Sequence, residues 1–470
     1  MSARGLLFCL CLGAALNTQT GAQTGDAGQQ RRGTHPWALC LEHLAAGRYP
    51  EAVSAALDFL DSQPQHFPLV ESHFEKIAGA GDGAGEPERR TAAIARALRG
   101  ALNGSDRDPL HAAMLLAAVS LKAGEPQAGL EALLQIEGRS DIGGALYEFA
   151  SRCEAAGFDE VAVQSYRRYS ERPQGNPRYR SGSLLKEGEL YERQGRYDRA
   201  LSVYRQVADH YSHEPEGREA VYRQGRMLLQ AYGDAGTARL LLASLATGRG
   251  GYRSSDAALL LAECDLAEGD LDAAGDRYRA LLDASAGDRA ARYGLGRLAW
   301  LHADFEGALA HFDTLLAAQP GHELANDALE IVTLIEEQRG NERELALYAT
   351  SLLYQHQGRH AEAAGVRREL QGAPEGIRVL AMLDQALACE ARARPDSALA
   401  GYAEVAASFP GRREALTALI LRARLLEHQG RPLEALRTWE SALLGFPGDA
   451  RAAQVRLEIQ RLRPLYRETG

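Results

Sequence analysis

Lysine is nearly missing from this chain. Of its 53 basic residues only Lys76, Lys122 and Lys186 are lysines, so 53 less 3 leaves 50 arginines, a bias that suggests a GC-rich genome. None of the three precedes Ser or Thr, which excludes a Walker A phosphate loop of the usual form. Positive charge is also in deficit, 53 against 63 acidic residues, and a net charge of −10 argues against nucleic acid as a partner. Long apolar runs are missing too. The longest, Leu6–Leu16, has 11 residues, well short of the ~20 that a membrane-spanning helix needs. No stretch alternates like a strand, and no proline falls inside an expected helix.

Complete catalytic or metal-binding constellations are equally scarce. Ser183-Leu184-Leu185-Lys186 has the SxxK spacing of penicillin-recognising enzymes, but no lysine is followed by the Thr-Gly those enzymes also need. Gly294-Leu295-Gly296-Arg297-Leu298-Ala299 matches the GxGxxA dinucleotide fingerprint, yet that fingerprint requires a preceding strand, and Arg289–Tyr293 reads as helix. His356 and His360 are spaced i, i+4, but Gly358 between them is a turn glycine that would break the shared helix face. Neither a metal nor a cofactor is expected, and the chain is not expected to be an enzyme. Arg167, Arg168, Arg172, Arg178 and Arg180 cluster around a loop, where a solvated surface is favoured over an anion site.

What is present begins with an address. Met1–Arg4 carries one positive charge, the apolar run follows, and Thr20-Gly21-Ala22 offers a cleavage site, the order of a secretory signal. Cys9 and Cys11 lie within the apolar run rather than after it, which argues against a lipid anchor. Residues 1–22 are therefore expected to be a signal peptide, 23–35 a flexible segment, and the remainder exported, with the periplasm the expected destination.

From there a repeat dominates. Gly47–Leu60, Gly195–Val207 and Gly430–Leu443 share a frame in which a turn glycine is followed five residues later by alanine, then four later by an aromatic or apolar residue. Extending it gives eleven anchors: Ala52, Arg90, Ala128, Ala162, Ala200, Ala238, Ala274, Ala308, Ala363, Ala398 and Ala435. Their spacing is 34–38 residues except for one interval of 55, which leaves room for an extra helix around Glu323–Glu337.

The frame resembles the tetratricopeptide repeat, most clearly in Leu184, Gly188, Tyr191, Ala200 and Tyr204 and in Leu295, Gly296, Ala308, Phe312, Leu315 and Pro320. The Arg90 unit is degenerate, and the Ala363 unit has Arg367 where an aromatic is usual. Endings such as Phe409–Ile420 and Phe446–Leu457 are similar to exported bacterial envelope versions, the outer-membrane assembly lipoprotein and the Tol-Pal coordinator. The resemblance implies an all-α, right-handed superhelical solenoid of about eleven helix-turn-helix repeats over 36–470. It also implies a groove, lined by first helices, that holds a peptide or partner helix.

One stripe expected to face that groove is Tyr293, Arg297 and Trp300. Parallel stripes start at Tyr147, at Arg223 with Met227, and at Tyr348. Packing of Tyr293 and Trp300 against neighbouring repeats is the equal alternative. The expected function is a non-catalytic scaffold for envelope proteins. The alternative is an accessory helical module of a cell-wall or outer-membrane assembly enzyme complex, although the repeats run almost to Gly470. Cys40, Cys153, Cys264 and Cys389 fall three repeats apart, each in a first helix. Packed helices lie ~8–10 Å apart and a disulfide needs Cα atoms within ~7 Å, so four buried free thiols are expected.

Overall fold

The computed structural model describes residues 35–78, 86–104, 107–172, 177–246, 251, 253–285, 287–318 and 323–464. The leader, Gly85 and Pro320 lie outside this set. Every regular element among the described residues is a helix, and most come in consecutive pairs. In chain order these are Pro36–Ala45 with Tyr49–Ser62, Phe67–Ala78 with Glu86–Leu102, Leu110–Lys122 with Pro126–Gln135, and Gly143–Ala155 with Asp159–Ser170. Next come Pro177–Arg193 with Tyr197–His210, Pro215–Tyr232 with Ala235–Ala246, Ser254–Glu268 with Leu271–Ala284, and Arg289–Leu301 with Phe305–Ala318. Glu342–His356 with His360–Glu369, Glu375–Ala391 with Pro395–Ser408, and Arg413–His428 with Pro432–Gly445 complete the eleven. A further helix, Glu323–Glu337, stands between the eighth and ninth pairs, and Ala452–Leu462 follows the last. The chain divides into two compact units, Met1–Ala220 and Val221–Gly470.

Glycine sets the hairpin within a pair. Gly47, Gly157, Gly195, Gly233, Gly269, Gly358 and Gly430 all have φ between 68° and 90°, the left-handed region that ends a helix at little steric cost. In two pairs alanine stands at this place instead: Ala303 at φ 59° and Ala393 at φ 52°, each five residues before its anchor alanine. A Cβ in that region costs roughly 1–2 kcal/mol, partly offset by the greater entropy glycine loses on folding. Ala303→Gly and Ala393→Gly are therefore each expected to stabilise the fold by about 0.5–1 kcal/mol. A lower denaturation midpoint in either variant would contradict this.

The anchors are buried because the two helices of a pair meet there. Ala52, Ala162, Ala200, Ala238, Ala274, Ala308, Ala398 and Ala435 have no exposed surface, and Ala363 has 1%. Two anchors are corrected. Ala128 is only half-buried; the turn glycine of that pair is Gly124, at φ 80°, and the contact residue five later is Gly129. A Cβ on Gly129 would lie 2.9 Å from Phe149 Cζ and 3.0 Å from the Ala117 backbone. Arg90 is half-buried as well, and its helix buries Ile94, Leu98 and Leu102 instead.

Four residues beyond the anchor sits a large side chain, and its polar tip has a recurrent partner twelve residues back in the first helix. Tyr166 Oη donates to Glu154 (3.0 Å), Tyr204 to Glu192 (2.9 Å) and Tyr402 to Glu390 (2.5 Å), while Trp439 Nε1 donates to Glu427 (2.9 Å). A buried ring that keeps its hydrogen bond contributes its apolar area without leaving a polar group unpaired. Arg367, in the place of the aromatic, follows the same geometry: it is 7% exposed and donates to Gln355, again twelve residues earlier, and to Gln385.

Cys40, Cys153 and Cys264 are buried free thiols. Cys389 is free but only half-buried, with Gln385 Nε2 at 3.8 Å from its sulfur. Burial pushes Cys40 and Cys153 up to about 12 and Cys264 up to about 11, so at neutral pH almost no nucleophilic thiolate exists at these three. Iodoacetamide mapped by mass spectrometry is expected to mark Cys389 first in the native protein. All four should react after denaturation without reductant, and protection of any pair there would reveal a disulfide this packing forbids.

Candidate protein-binding face

First helices two pairs apart touch, and this defines the face. Adjacent packed helices are ~8–10 Å apart, so a straight array would hold alternate ones roughly 16–20 Å apart. Yet in the Met1–Ala220 unit Arg152, on the fourth first helix, reaches Glu71 and Glu75 on the second at 2.5 Å each. In the Val221–Gly470 unit His356 Nε2, at the end of the ninth first helix, lies 3.6 Å from Glu263 on the seventh. Each unit therefore brings first helices two pairs apart within reach of one another's side chains.

In the Met1–Ala220 unit this inner face has a depression lined by Phe67, Glu71, Met114, Ala117, Phe149 and Arg152. The small Ala117 and Ala118 lie between the flanking helices and let them approach. Burial raises the Glu71 carboxyl, Arg152 opposes this, and Glu75 and Glu148 raise it further. Further along, Lys186 Nζ lies 3.0 Å from Glu189 and 3.5 Å from Glu154. Tyr147 is half-buried with its ring centroid 5.4–5.6 Å from those of Tyr166, Tyr169 and Tyr179.

In the Val221–Gly470 unit, Glu263 is the centre of a polar cluster. It accepts from Tyr278 Oη at 2.6 Å and from Arg297 Nη2 at 2.6 Å. Arg297 and Glu263 keep about a quarter of their side chains exposed. Arg297 chiefly, with Tyr278 and His356, outweighs burial and holds the Glu263 carboxyl below its ordinary value. Burial first, then Arg297, lowers His356, with Glu263 opposing. A depressed folded-state value means that His356 contributes stability above its unfolded value of 6.5 and loses it as pH falls from there toward the folded value. The wild type is accordingly expected to lose denaturation midpoint as pH drops below about 6.5, more steeply than His356→Gln. Parallel curves would remove His356 from the balance.

The residues expected on the groove divide by burial. Tyr147, Arg223, Tyr293 and Arg297 are partly exposed. Trp300 (3%), Met227 (3%) and Tyr348 (6%) are instead core residues. Trp300 packs on Phe305 and on Tyr348 of the next first helix, and Tyr348 Oη donates to Asp384 at 2.7 Å. Tyr293 packs against Phe312, with Asp327 and Glu330 of the added helix acting on its hydroxyl. Glu263 was not singled out in the sequence, although it stands 34 residues, one repeat, before Arg297 and so occupies the same helix position. The basic cluster is largely neutralised: Arg167 pairs with Glu187, Arg168 with Glu137, and Arg172 with Glu137 and Asp141. Arg180 donates to the Arg172 carbonyl, and the Arg178 side chain lies outside those described. Gly294 and Gly296 sit inside a helix preceded by another helix, facing the Tyr278 and Phe312 rings. Among the described residues no three His, Cys, Asp or Glu side chains gather as a metal site, and no helix is long and apolar enough to cross a membrane.

Tandem helix pairs with a first-helix face of mixed aromatic and charged residues define an α-helical repeat protein of the protein-interaction class. Models of the tetratricopeptide repeat match residues 185–253 and 265–332, and the chain is a tetratricopeptide-repeat protein. No curated protein sequence matches it. Among solved structures it is similar to a tetratricopeptide repeat protein from Parabacteroides merdae (13% identity, 69% of this chain and 100% of the other, TM-score 0.35). It is also similar to YrrB, a TPR protein with an unusual peptide-binding site (20% identity, 43% and 99%, TM-score 0.31).

Proposed function

We propose that this protein is a non-catalytic scaffold of the bacterial cell envelope that holds a peptide or partner helix on its first-helix face. The observation that carries the binding reading is the first-helix face of each unit, on which Tyr147 in one and Tyr293 and Arg297 in the other stay partly exposed. Aromatic and arginine side chains combine large contact area with hydrogen bonding and dominate binding hot spots. The charged start, apolar run and small-residue site of 1–22 support export. Cross-linking in intact cells of the source organism, followed by affinity purification and mass spectrometry, tests both parts. The comparison is wild type against Tyr147→Ala/Tyr293→Ala, with folding checked by thermal melting. Envelope partners lost in the variant are expected. Partners that persist would overturn the face assignment, and exclusively cytoplasmic partners would overturn the export reading.

A further inference from the structure

We propose that the end of the array docks on an anionic phospholipid surface, its exposed leucines entering the bilayer between arginines that meet the phosphates. The patch lies on the second helix of the eleventh pair, Pro432–Gly445, and on the last helix, Ala452–Leu462. It is therefore separate from the first-helix face described above. Leu433, Arg437, Glu440 and Leu444 are spaced i, i+4, i+7 and i+11, which puts them on one side of Pro432–Gly445. Leu444 is 82% exposed and Leu433 45%. On and just past the last helix, Arg456, Gln460 and Arg463 take the side next to this stripe, because Arg463 reaches Glu440 at 3.1 Å. Leu457, beside Arg456, is 65% exposed.

Charge at this end is complementary to phosphate. Residues 412–464 hold ten arginines against six carboxylates, a net +4 in a chain of −10. Each of the six has an arginine partner. Glu414 has Arg412, Glu427 and Glu458 share Arg461, Glu434 has Arg431, Glu440 has Arg463 and Asp449 has Arg451. Arg437 and Arg456 are exposed and have no ion pair among the described residues. On the patch itself Arg437, Arg456 and Arg463 stand against Glu440 alone, with Glu434 at its edge held by Arg431 at 2.7 Å. Arginines attract anionic headgroups and donate charge-assisted hydrogen bonds to phosphate. Leucines that project this far suit a lipid interface, which yields to protruding apolar side chains and takes them about 5–10 Å deep. A polypeptide would have to bring a surface shaped to each of them, and this favours the lipid.

Flotation with vesicles provides the test. The chain is used from Gln23, which keeps every described residue and removes the apolar run Leu6–Leu16, itself able to bind lipid. The vesicles are phosphatidylglycerol mixed equally with phosphatidylcholine, or phosphatidylcholine alone. Binding to the anionic vesicles is expected to be at least tenfold tighter. It should weaken between about 0.1 M and about 1 M salt, where the screening length falls from about 10 Å to about 3 Å. Leu444→Ser/Leu457→Ser should weaken it at least tenfold, and Arg437→Gln/Arg456→Gln at least fivefold. Leu240→Ser/Leu329→Ser, at leucines 77% and 51% exposed elsewhere in the same unit, should leave it within twofold. No binding to the anionic vesicles overturns the proposal, as does equal weakening by both leucine pairs. Equal binding to both kinds of vesicle would remove the arginines from the contact and overturn it too. A polypeptide occupant would appear as a cross-linked protein, or a second copy, that only the first leucine pair loses while the vesicles float without the chain. That result also overturns the lipid reading. If the first leucine pair does not melt like wild type, Leu444→Ser alone is expected to weaken anionic-vesicle binding about threefold, and an unchanged value overturns the proposal.

Discussion

Trp300→Ala is expected to destabilise the Val221–Gly470 unit by about 3–5 kcal/mol, the usual cost of emptying a buried aromatic site. Only 3% of Trp300 is exposed, and its ring lies 5.6 Å from that of Phe305 and 6.3 Å from that of Tyr348. It therefore joins the two helices of the eighth pair and ties them to the ninth. In a repeat array stability is approximately a sum of repeat and neighbour terms, so the loss should concentrate there. Hydrogen exchange should rise most over residues 289–356, and chemical denaturation should start at lower denaturant. Binding of any partner by the protein still folded should change little. Unchanged stability with lost binding would place Trp300 on the groove and contradict its burial.

Gly296→Ala is the second large effect, and its sign makes it diagnostic. Alanine normally favours a helix interior over glycine by about 1 kcal/mol. Here the added Cβ would lie 2.6 Å from Phe312 Cε1 and 2.9 Å from Cδ1, and Phe312 is fully buried with nowhere to retreat. Overpacking of this kind costs about 1–3 kcal/mol, so the substitution is expected to destabilise. Gly182→Ala, also within a helix but with nothing within 4 Å of the new Cβ, should stabilise by about 0.5–1 kcal/mol. Phe312→Leu should ease the clash, so the double variant with Gly296→Ala should lose less than the sum of the single ones. A stabilising Gly296→Ala would mean that helix separation, rather than this contact, sets the repeat.

Both effects show how far the repeat could be read from residue order. A turn glycine, a small anchor five later and an aromatic four beyond that form a local pattern, because each hairpin is built within one stretch of about 34–38 residues. Arg367 was visible as a departure, but its reason was not: Gln355 and Gln385 replace the usual carboxylate partner only once the helices pack. Gly129 rather than Ala128 is the contact residue of its pair, and the sequence frame already points to it, since Gly124 stands five residues earlier and has the positive φ of a turn glycine. Cys389 was expected to be as buried as the other thiols, because its place in a first helix is equivalent; its half exposure depends on its neighbours.

The candidate face was legible more coarsely. Helical spacing put Tyr293, Arg297 and Trp300 on one side of a helix, yet a stripe i, i+4, i+7 is wide enough for one edge to meet solvent and the other the next repeat. Trp300 falls on the packed edge and Arg297 on the open one. The amino-acid order by itself determined the all-helical class, the repeat length and the place of each hairpin, because these depend on turn conformations and contacts within a few tens of residues. Tertiary structure decided which side chains remain exposed and which charges meet, such as Arg152 with Glu71 and His356 with Glu263. Those contacts join helices two pairs apart and exist only once the intervening repeats have packed.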